Sequence, residues 1–260
     1  MTTPRRRRST RSKTKPPDGR HGLGRAEFVI LMSTVSATIA ISIDTVLPAF
    51  DEIEREFALG ASGTSVSLTI TVFLAAMGVG MIVWGPLSDR FGRKPVMWVS
   101  LALFMTGALI STSATSFSVF LVGRAVWGAA AAGPRAISVA IVRDAYEGDL
   151  MARIMSLTSA VFLVVPAVAP ALGELVLAIG SWRWTTAIGA LLGVLVSVWL
   201  LRLEETLDPA DVTPLEVTPI ARAARAVVTN RTTVLFTLAT TMAYGAFFPW
   251  LGSSFRMIAE

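Results

Sequence analysis

Long apolar segments recur along this chain at a spacing typical of membrane-spanning helices. A helix that crosses the hydrocarbon core of a bilayer needs about 20 mostly apolar residues. Seven segments come close to this length: Phe28–Leu47, Ser65–Trp84, Val96–Ala114, Phe117–Val142, Ile154–Ile179, Thr185–Leu203 and Thr232–Leu251. Because unpaired strands cannot face lipid, the pattern predicts an all-α integral membrane protein with a six-helix bundle and one further helix.

Polar stretches divide the chain into four parts. Residues 1–25 are a basic tail that we expect to be disordered, and residues 26–203 carry the six-helix bundle. Residues 204–231 hold three prolines among mixed charges, which is typical of a linker. Residues 232–260 contain the seventh helix, the first of a truncated second bundle.

Basic residues indicate which side of the membrane each connection faces. The first 25 residues carry nine Arg and Lys, whereas residues 51–60 carry four acidic residues against one arginine. Basic connections stay in the cytoplasm, so the charges predict a cytoplasmic N-terminus in a multi-pass protein of the plasma (inner) membrane. We expect the tail to meet anionic lipid rather than nucleic acid.

Composition argues against an enzyme. Only 16% of the residues are charged, against about 25% in soluble domains. The chain has no cysteine, a single histidine (His21) and no phosphate-binding G-x-x-x-x-G-K-[ST] loop. We therefore expect no metal site, no cofactor and no ATP hydrolysis. Work on a solute would draw on an ion gradient or on the solute's own gradient.

The sharpest motif is GPLSDRFGRKP, residues 85–95, in the predicted turn between the second and third helices. It resembles the loop signature G-x-L-x-D-R-x-G-R-[KR] of the major facilitator superfamily (MFS). Seven positions match: Gly85, Leu87, Asp89, Arg90, Gly92, Arg93 and Lys94.

The chemistry of this motif suits a latch between helix ends. Glycine permits a tight reversal, and Asp89 can face a helix N-terminus. Asp144 ends the fourth helix on the same side, where Arg90 could contact it. The resemblance implies a conformational latch made of Gly85, Asp89, Arg90, Gly92, Arg93, Lys94 and Asp144. The alternative is that these charges only anchor the loop in the cytoplasm.

A carboxylate lies within the first predicted helix. Asp44 follows Phe28 by 16 residues, or roughly 24 Å of helix, which leaves it inside the hydrocarbon near the outer edge. Charged residues at such depths face a cavity or a partner. The stretch around it resembles the D-x-x-x-P-A segment of drug/proton antiporters, which implies a proton or cation site. The alternative is an interfacial aspartate in contact with water.

Arg124 in the fourth helix lies at a similar depth and is the candidate partner of Asp44. Its surroundings resemble the MFS motif R-x-x-[Q]-G, with Trp127 in place of glutamine. An Asp44–Arg124 pair that breaks when Asp44 takes a proton would couple protonation to helix movement. Arg135, deeper in the same helix, either reaches the cytoplasmic surface or contacts substrate.

The fifth helix carries PAVAPALGE, residues 166–174, which resembles the A-P-x-x-G form of the antiporter signature in the bicyclomycin-resistance (Bcr/CflA) branch. Proline and small residues bend helices and let neighbours approach. The resemblance implies a hinge at Pro166, Pro170 and Gly173. Glu174 is either wetted at the outer interface or binds a proton or substrate.

These motifs together imply a proton-coupled antiporter that exports small hydrophobic or cationic compounds across the bilayer. Proton-coupling candidates are Asp44, Arg124 and Glu174. Two alternatives stay open: an MFS exporter of a sugar or amino acid, and a half-length interaction or regulatory protein without transport. MFS transporters have two six-helix halves, so a second half-transporter chain is a possible partner if the short length is genuine.

Overall fold

The computed structural model describes residues 21–213 and 229–242. Residues 21–213 fold into eight α-helices without any strand. The helices are α1 (Arg25–Asp44), α2 (Phe50–Glu56), α3 (Leu59–Ser62), α4 (Leu68–Phe91), α5 (Arg93–Thr112), α6 (Phe117–Ala145), α7 (Gly148–Ile179) and α8 (Arg183–Leu200). Short 3₁₀ turns lie at Leu47–Ala49 and Pro209–Asp211.

Six helices of the described part are long and apolar enough to span a membrane: α1 and α4 to α8. The shortest, α8, has 18 residues, about 27 Å at 1.5 Å per residue, close to a hydrocarbon thickness of about 30 Å. The predicted all-α membrane bundle is therefore confirmed.

Short connections make successive spanning helices antiparallel, so the bundle has two ends. The Arg93 end holds the first residues of α1, α5 and α7 and the last residues of α4, α6 and α8. The opposite end, which we call the Arg183 end, holds the start of α8 and the short helices α2 and α3.

Helix α6 lies at the centre of one half of the bundle. It packs against both α4 and α5, while α1 packs against α7 and α8. The contact with α4 is at backbone distance, since a Cβ on Gly128 would lie 2.2 Å from the carbonyl oxygen of Phe73. Small residues at such crossings give membrane helices the close contact that the hydrophobic effect does not supply in lipid.

An ion pair joins three elements at the Arg183 end. Arg183 donates to both carboxylate oxygens of Glu56, at 2.9 and 2.6 Å, and to the carbonyl oxygen of Ala114 at 3.0 Å. The indole N–H of Trp182 donates to the same carboxylate. Helix α2, which the apolar pattern did not predict, is thereby fastened to the start of α8. Since the pair is partly exposed, its stability contribution is about 1 kcal/mol or less.

The packed unit extends beyond the predicted bundle boundaries of 26 and 203. His21 is fully buried, stacks on Phe28 with ring centroids 4.2 Å apart, and forms a 2.8 Å hydrogen bond with the Tyr146 hydroxyl. Residues 204–213, predicted as the start of a linker, belong to the same compact unit. The rest of the predicted tail, residues 1–20, and most of the predicted linker, residues 214–228, lie outside the described residues.

The second compact unit begins at Pro214. Its described part is helical over 231–242. This range starts one residue before the predicted seventh helix. The remainder of that prediction, residues 243–251, lies outside the described residues.

Replacing Gly128 by alanine should destabilise the bundle, because the new methyl group meets the α4 backbone. Overpacking of this kind costs about 1–3 kcal/mol, or a fall in Tm of about 2–4 °C per kcal/mol. Gly78→Ala is the matched control, since its Cβ would have no atom within 4 Å and alanine favours a helix. Thermal unfolding of both variants in detergent tests this, and equal Tm values would contradict the packing.

Candidate functional site

The turn between α4 and α5 is a single residue. Helix α4 continues through Phe91 and α5 begins at Arg93, so the motif at residues 85–95, which was predicted to lie in a turn, is mostly helical. Gly92 makes the reversal at φ +100°, a conformation in which other residues are strained. The tight turn places Asp89 in the last turn of α4, next to the first residue of α5.

Arg93 ties together the ends of three helices. Its Nε donates to the Asp144 carboxylate of α6 at 2.8 Å. Its Nη1 donates to the Ser88 hydroxyl at 2.8 Å and to the Asp89 carboxylate. The Arg93 side chain is 9% exposed, and charge-assisted bonds in such surroundings are stronger than those in water.

Arg93, rather than Arg90, makes the contact with Asp144 that the sequence predicted. Arg90 is exposed on the last turn of α4. The prediction failed because it placed both arginines in the turn between the helices rather than on the helices themselves. In the structure, Gly92 starts a new helix whose first side chain points inward.

Glu205 caps α5 from a distant part of the chain. Gly92 offers α5 no capping side chain. The Glu205 carboxylate instead accepts the backbone N–H groups of Arg93 and Lys94, each at 3.0 Å. It also accepts those of Thr206 and Leu207 at 2.9 and 3.0 Å. A carboxylate at a helix N-terminus satisfies unpaired donors and complements the helix dipole.

Lys94 and Gly85, the remaining predicted latch residues, differ in the contacts they make. Lys94 donates from Nζ to the carbonyl oxygen of Leu201 at 3.2 Å, which adds α8 to the group. Gly85 accepts a hydrogen bond from Ser88 but has open space on its Cβ side. The structure thus joins Asp89, Gly92, Arg93, Lys94 and Asp144 with the unforeseen Glu205, and we call this set the Arg93 cluster. Glu205 was not among the predicted site residues, since its stretch EETL at 204–207 was assigned to the linker.

Arg124 is fully buried near the opposite end of the bundle. Its Nη1 donates to the carbonyl oxygen of Ser42 in α1 at 3.0 Å. Its guanidinium carbon lies 4.6 Å from the centre of the Phe73 ring and 5.1 Å from that of Trp127. Within the described residues, Nε and Nη2 have no hydrogen-bond partner. Buried donors of a charged group are costly to leave unpaired.

Asp44 is the last residue of α1 and is 5% exposed. It lies near enough to Arg124 for the two charges to interact. No hydrogen bond joins the two side chains within the described part of the chain. The structure therefore brings the predicted partners together as separated charges rather than as a closed ion pair.

The predicted hinge of α7 lies directly on the Asp44 segment. A Cβ on Gly173 would lie 2.5 Å from the carbonyl oxygen of Thr45 and 3.2 Å from the ring of Pro48. Pro170 is buried and Pro166 half-buried, and α7 remains one helix through both. Two motifs that are far apart in sequence therefore share one interface.

Glu174 and Arg135 take no part in the contacts that join the Asp44 segment to Arg124 and Gly173. Glu174 is exposed on α7 and forms no ion pair with any described residue. Arg135 stacks on Phe162 at 4.6 Å and lines an interior cavity of about 30 Å³ together with Ser36 and Ser138. The described residues contain no group of three metal-binding side chains.

Comparison with known proteins gives the family. The sequence profile of the Major Facilitator Superfamily matches residues 29–257. A bicyclomycin resistance protein homolog of Haemophilus influenzae is 31% identical over 196 residues, which are 75% of this chain and 49% of that protein. The multidrug resistance protein MdtL of Salmonella typhi is 29% identical over 202 residues, 78% of this chain and 51% of that one.

A solved structure has the same fold. The proton:xylose symporter XylE, bound to 6-bromo-6-deoxy-D-glucose, superposes with a TM-score of 0.63 at 13% identity. The match covers 70% of this chain and 45% of XylE. The chain belongs to the major facilitator superfamily, whose members are transporters rather than enzymes, and is a multi-pass membrane protein. It spans about half the length of the curated relatives it matches.

Removing the Glu205 cap should loosen the start of α5. Glu205→Ala leaves the Arg93 and Lys94 amides without their acceptor, a loss of about 0.5–2 kcal/mol for a capping side chain. Hydrogen exchange of the Arg93, Lys94 and Val96 amides should quicken by roughly two- to thirtyfold. Glu204→Ala removes a neighbouring charge that caps no helix, so exchange of these three amides should not change. Equal exchange in the two variants would argue against the cap.

Proposed function

We propose that this chain forms the N-terminal half of a proton-coupled efflux transporter of the Bcr/CflA type, which exports small hydrophobic or cationic compounds. The observation that supports this proposal most strongly is the buried Asp44 carboxylate beside Arg124. Arg124 is itself buried, and no described residue accepts a hydrogen bond from its Nε or Nη2. Ionisable groups inside a membrane bundle are expensive and mark ion or substrate pathways. The resistance proteins among the relatives support export of drugs.

Proton transfer at Asp44 would change the balance of charge around Arg124. With Asp44 ionised, the guanidinium has a countercharge nearby and a hydrogen bond to α1 through Ser42. With Asp44 protonated, the same guanidinium keeps the Ser42 hydrogen bond and the two aromatic faces but loses its nearby countercharge, and an uncompensated buried charge costs several kcal/mol. A shift of α1 against α6 that brings Arg124 other partners or water would offset this cost.

A displacement of Asp44 would be transmitted to α7, because the residues that follow Asp44 pack directly against Gly173. Gly173 touches the carbonyl oxygen of Thr45, one residue after Asp44, and the ring of Pro48. The Thr45 hydroxyl also donates to the Thr185 carbonyl oxygen of α8 at 3.3 Å. Because no side chain separates α7 from this segment at Gly173, a displacement of the end of α1 pushes on α7. In this proposal Pro166 and Pro170 let α7 bend in response.

The Arg93 cluster would act as the latch at the other end. Arg93 joins α4, α5 and α6, and Glu205 adds the segment after α8. Groups with so many simultaneous bonds favour one arrangement of helix ends over a continuous range. We infer that the cluster holds the Arg93 end together in one conformation of the transport cycle and rearranges in the other.

The orientation in this proposal has the N-terminus and the Arg93 end in the cytoplasm of a cell with an inner membrane. The basic first 25 residues support it, since basic segments remain on the cytoplasmic side. Asp44 would then lie toward the outer side, where protons enter. Neutralisation of Asp44 from outside would accompany release of the substrate.

The transport path would require a second six-helix bundle. In MFS transporters the substrate site lies between two halves, and this chain spans about half of its relatives. Helices α4 and α7 leave most of their apolar surface uncovered by the described residues. The second bundle would be either a continuation of this polypeptide or a separate half-transporter chain.

Asp44→Asn should abolish export driven by a pH gradient, because asparagine cannot exchange a proton. The assay is efflux of a fluorescent hydrophobic cation by everted membrane vesicles that contain the transporter bearing this half. Asp51→Asn is the matched control, since Asp51 is an exposed carboxylate on α2, and it should retain export. Unchanged export by Asp44→Asn, with equal amounts of protein in the membrane, would refute the coupling role.

The requirement for a second half predicts what an antibody against the N-terminal tail detects in native membranes. We expect either a species well above 27.7 kDa, with a further bundle on the same polypeptide, or a 27.7 kDa species that co-purifies with a second membrane protein. Export by the purified 27.7 kDa chain alone in vesicles would contradict the proposal.

A further inference from the structure

A groove of about 550 Å³ opens on the surface of the Arg93 end, between the start of α5 and the segment after α8. It shares Gly92, Lys94 and Glu205 with the Arg93 cluster, but the proposed transport cycle assigns no ligand to it. Its lining combines two basic side chains with apolar ones. The main lining residues are Arg90, Phe91, Lys94, Trp98, Leu207 and Val212.

The basic side chains of this groove retain binding capacity. Arg90 is exposed and forms no ion pair or hydrogen bond with any described residue. Lys94 donates one hydrogen bond to the Leu201 carbonyl oxygen, and an ammonium group has three donors. Glu205, the acidic residue of the lining, accepts four backbone N–H groups, so its acceptor positions are occupied. The groove therefore offers cationic donors that no described residue accepts.

The depth of the groove matches the headgroup level of a bilayer. Arg90 lies in the last turn of one spanning helix and Lys94 lies in the first turn of the next. Trp98 is half-buried one turn further along α5, at the position where interfacial aromatic residues lie. Beyond it, Val99 and Leu103 of the same helix are 55% and 42% exposed. A basic, headgroup-level recess thus continues into an apolar face of a spanning helix.

We propose that this groove binds an anionic phospholipid, with the phosphodiester on Arg90 and Lys94 and an acyl chain along Trp98, Val99 and Leu103. A guanidinium and an ammonium complement phosphate oxygens. The continuation of the groove into the lipid-facing side of α5 favours a lipid over a soluble phosphate compound, which would leave the apolar part uncovered. The bound lipid would lie directly beside the turn that positions Arg93.

Native mass spectrometry of the full chain in detergent tests this site. The probes are phosphatidylglycerol and phosphatidylcholine with identical acyl chains. The wild type should bind phosphatidylglycerol more tightly than phosphatidylcholine. The double variant Arg90→Gln/Lys94→Gln should lose about fivefold of this preference for each basic residue removed, given the strength of such contacts with anionic lipid. Arg153→Gln, which removes an exposed charge of the same end outside the groove, should keep it.

A charge-preserving variant and a soluble competitor separate lipid binding from damage to the fold and from binding of phosphate alone. Arg90→Lys/Lys94→Arg should retain most of the preference, so a loss in it as well would indicate damage to the fold and overturn the site. Excess glycerol 3-phosphate should displace little phosphatidylglycerol, because it lacks acyl chains. Equal binding of both lipids by the wild type, an unchanged preference in the Gln variant, or full displacement by glycerol 3-phosphate would each overturn the proposal. None of these measurements depends on transport.

Discussion

A helix bundle in a bilayer has to compensate every charge that it buries, and among the described residues Arg124 is the buried charge with the least complete compensation. Its guanidinium is fully buried, yet the described residues give it one hydrogen bond, two aromatic faces and a carboxylate that stays short of contact. Removing a charged group from water costs several kcal/mol even after relaxation. A single proton on Asp44 can therefore alter the balance of charge around which the helices near Arg124 are packed. An arginine with all its donors bonded would hold α1 and α6 in a single arrangement.

At the Arg93 end, in contrast, the buried arginine is paired directly with carboxylates. Arg93 is nearly as buried as Asp44, but its side chain reaches two carboxylates and a hydroxyl, and Glu205 satisfies the amides at the start of its helix. Buried polar groups that are fully satisfied rigidify a structure. The bundle thus combines a well-compensated cluster at one end with an under-compensated pair near the other. The proposed cycle requires this contrast, because a latch needs defined bonds and a proton site needs a charge that is easily unbalanced.

Much of this arrangement was predictable from the chain alone. Apolar segments of about 20 residues predicted the spanning helices, and the motif at residues 85–95 indicated the family. The sequence could not predict which arginine faces inward, since that depends on Gly92 being the whole turn. Glu205 was also beyond prediction as a cap, because it lies 112 residues from the amide it accepts. His21 looked like part of a polar tail, and only the fold shows Phe28 and Tyr146 around it. Local patterns find helices, whereas pairing between distant residues depends on the packing.

The central claim is that Asp44 gives up or accepts a proton in response to substrate, and proton release tests this most directly. The transporter bearing this half is purified in detergent, placed in weakly buffered solution with a pH indicator, and mixed with a hydrophobic cation such as tetraphenylphosphonium. Substrate binding should release protons, and the release should disappear at a pH where Asp44 is already ionised. Saturable binding of the cation without proton release at any pH at which the protein stays folded would contradict the role of Asp44.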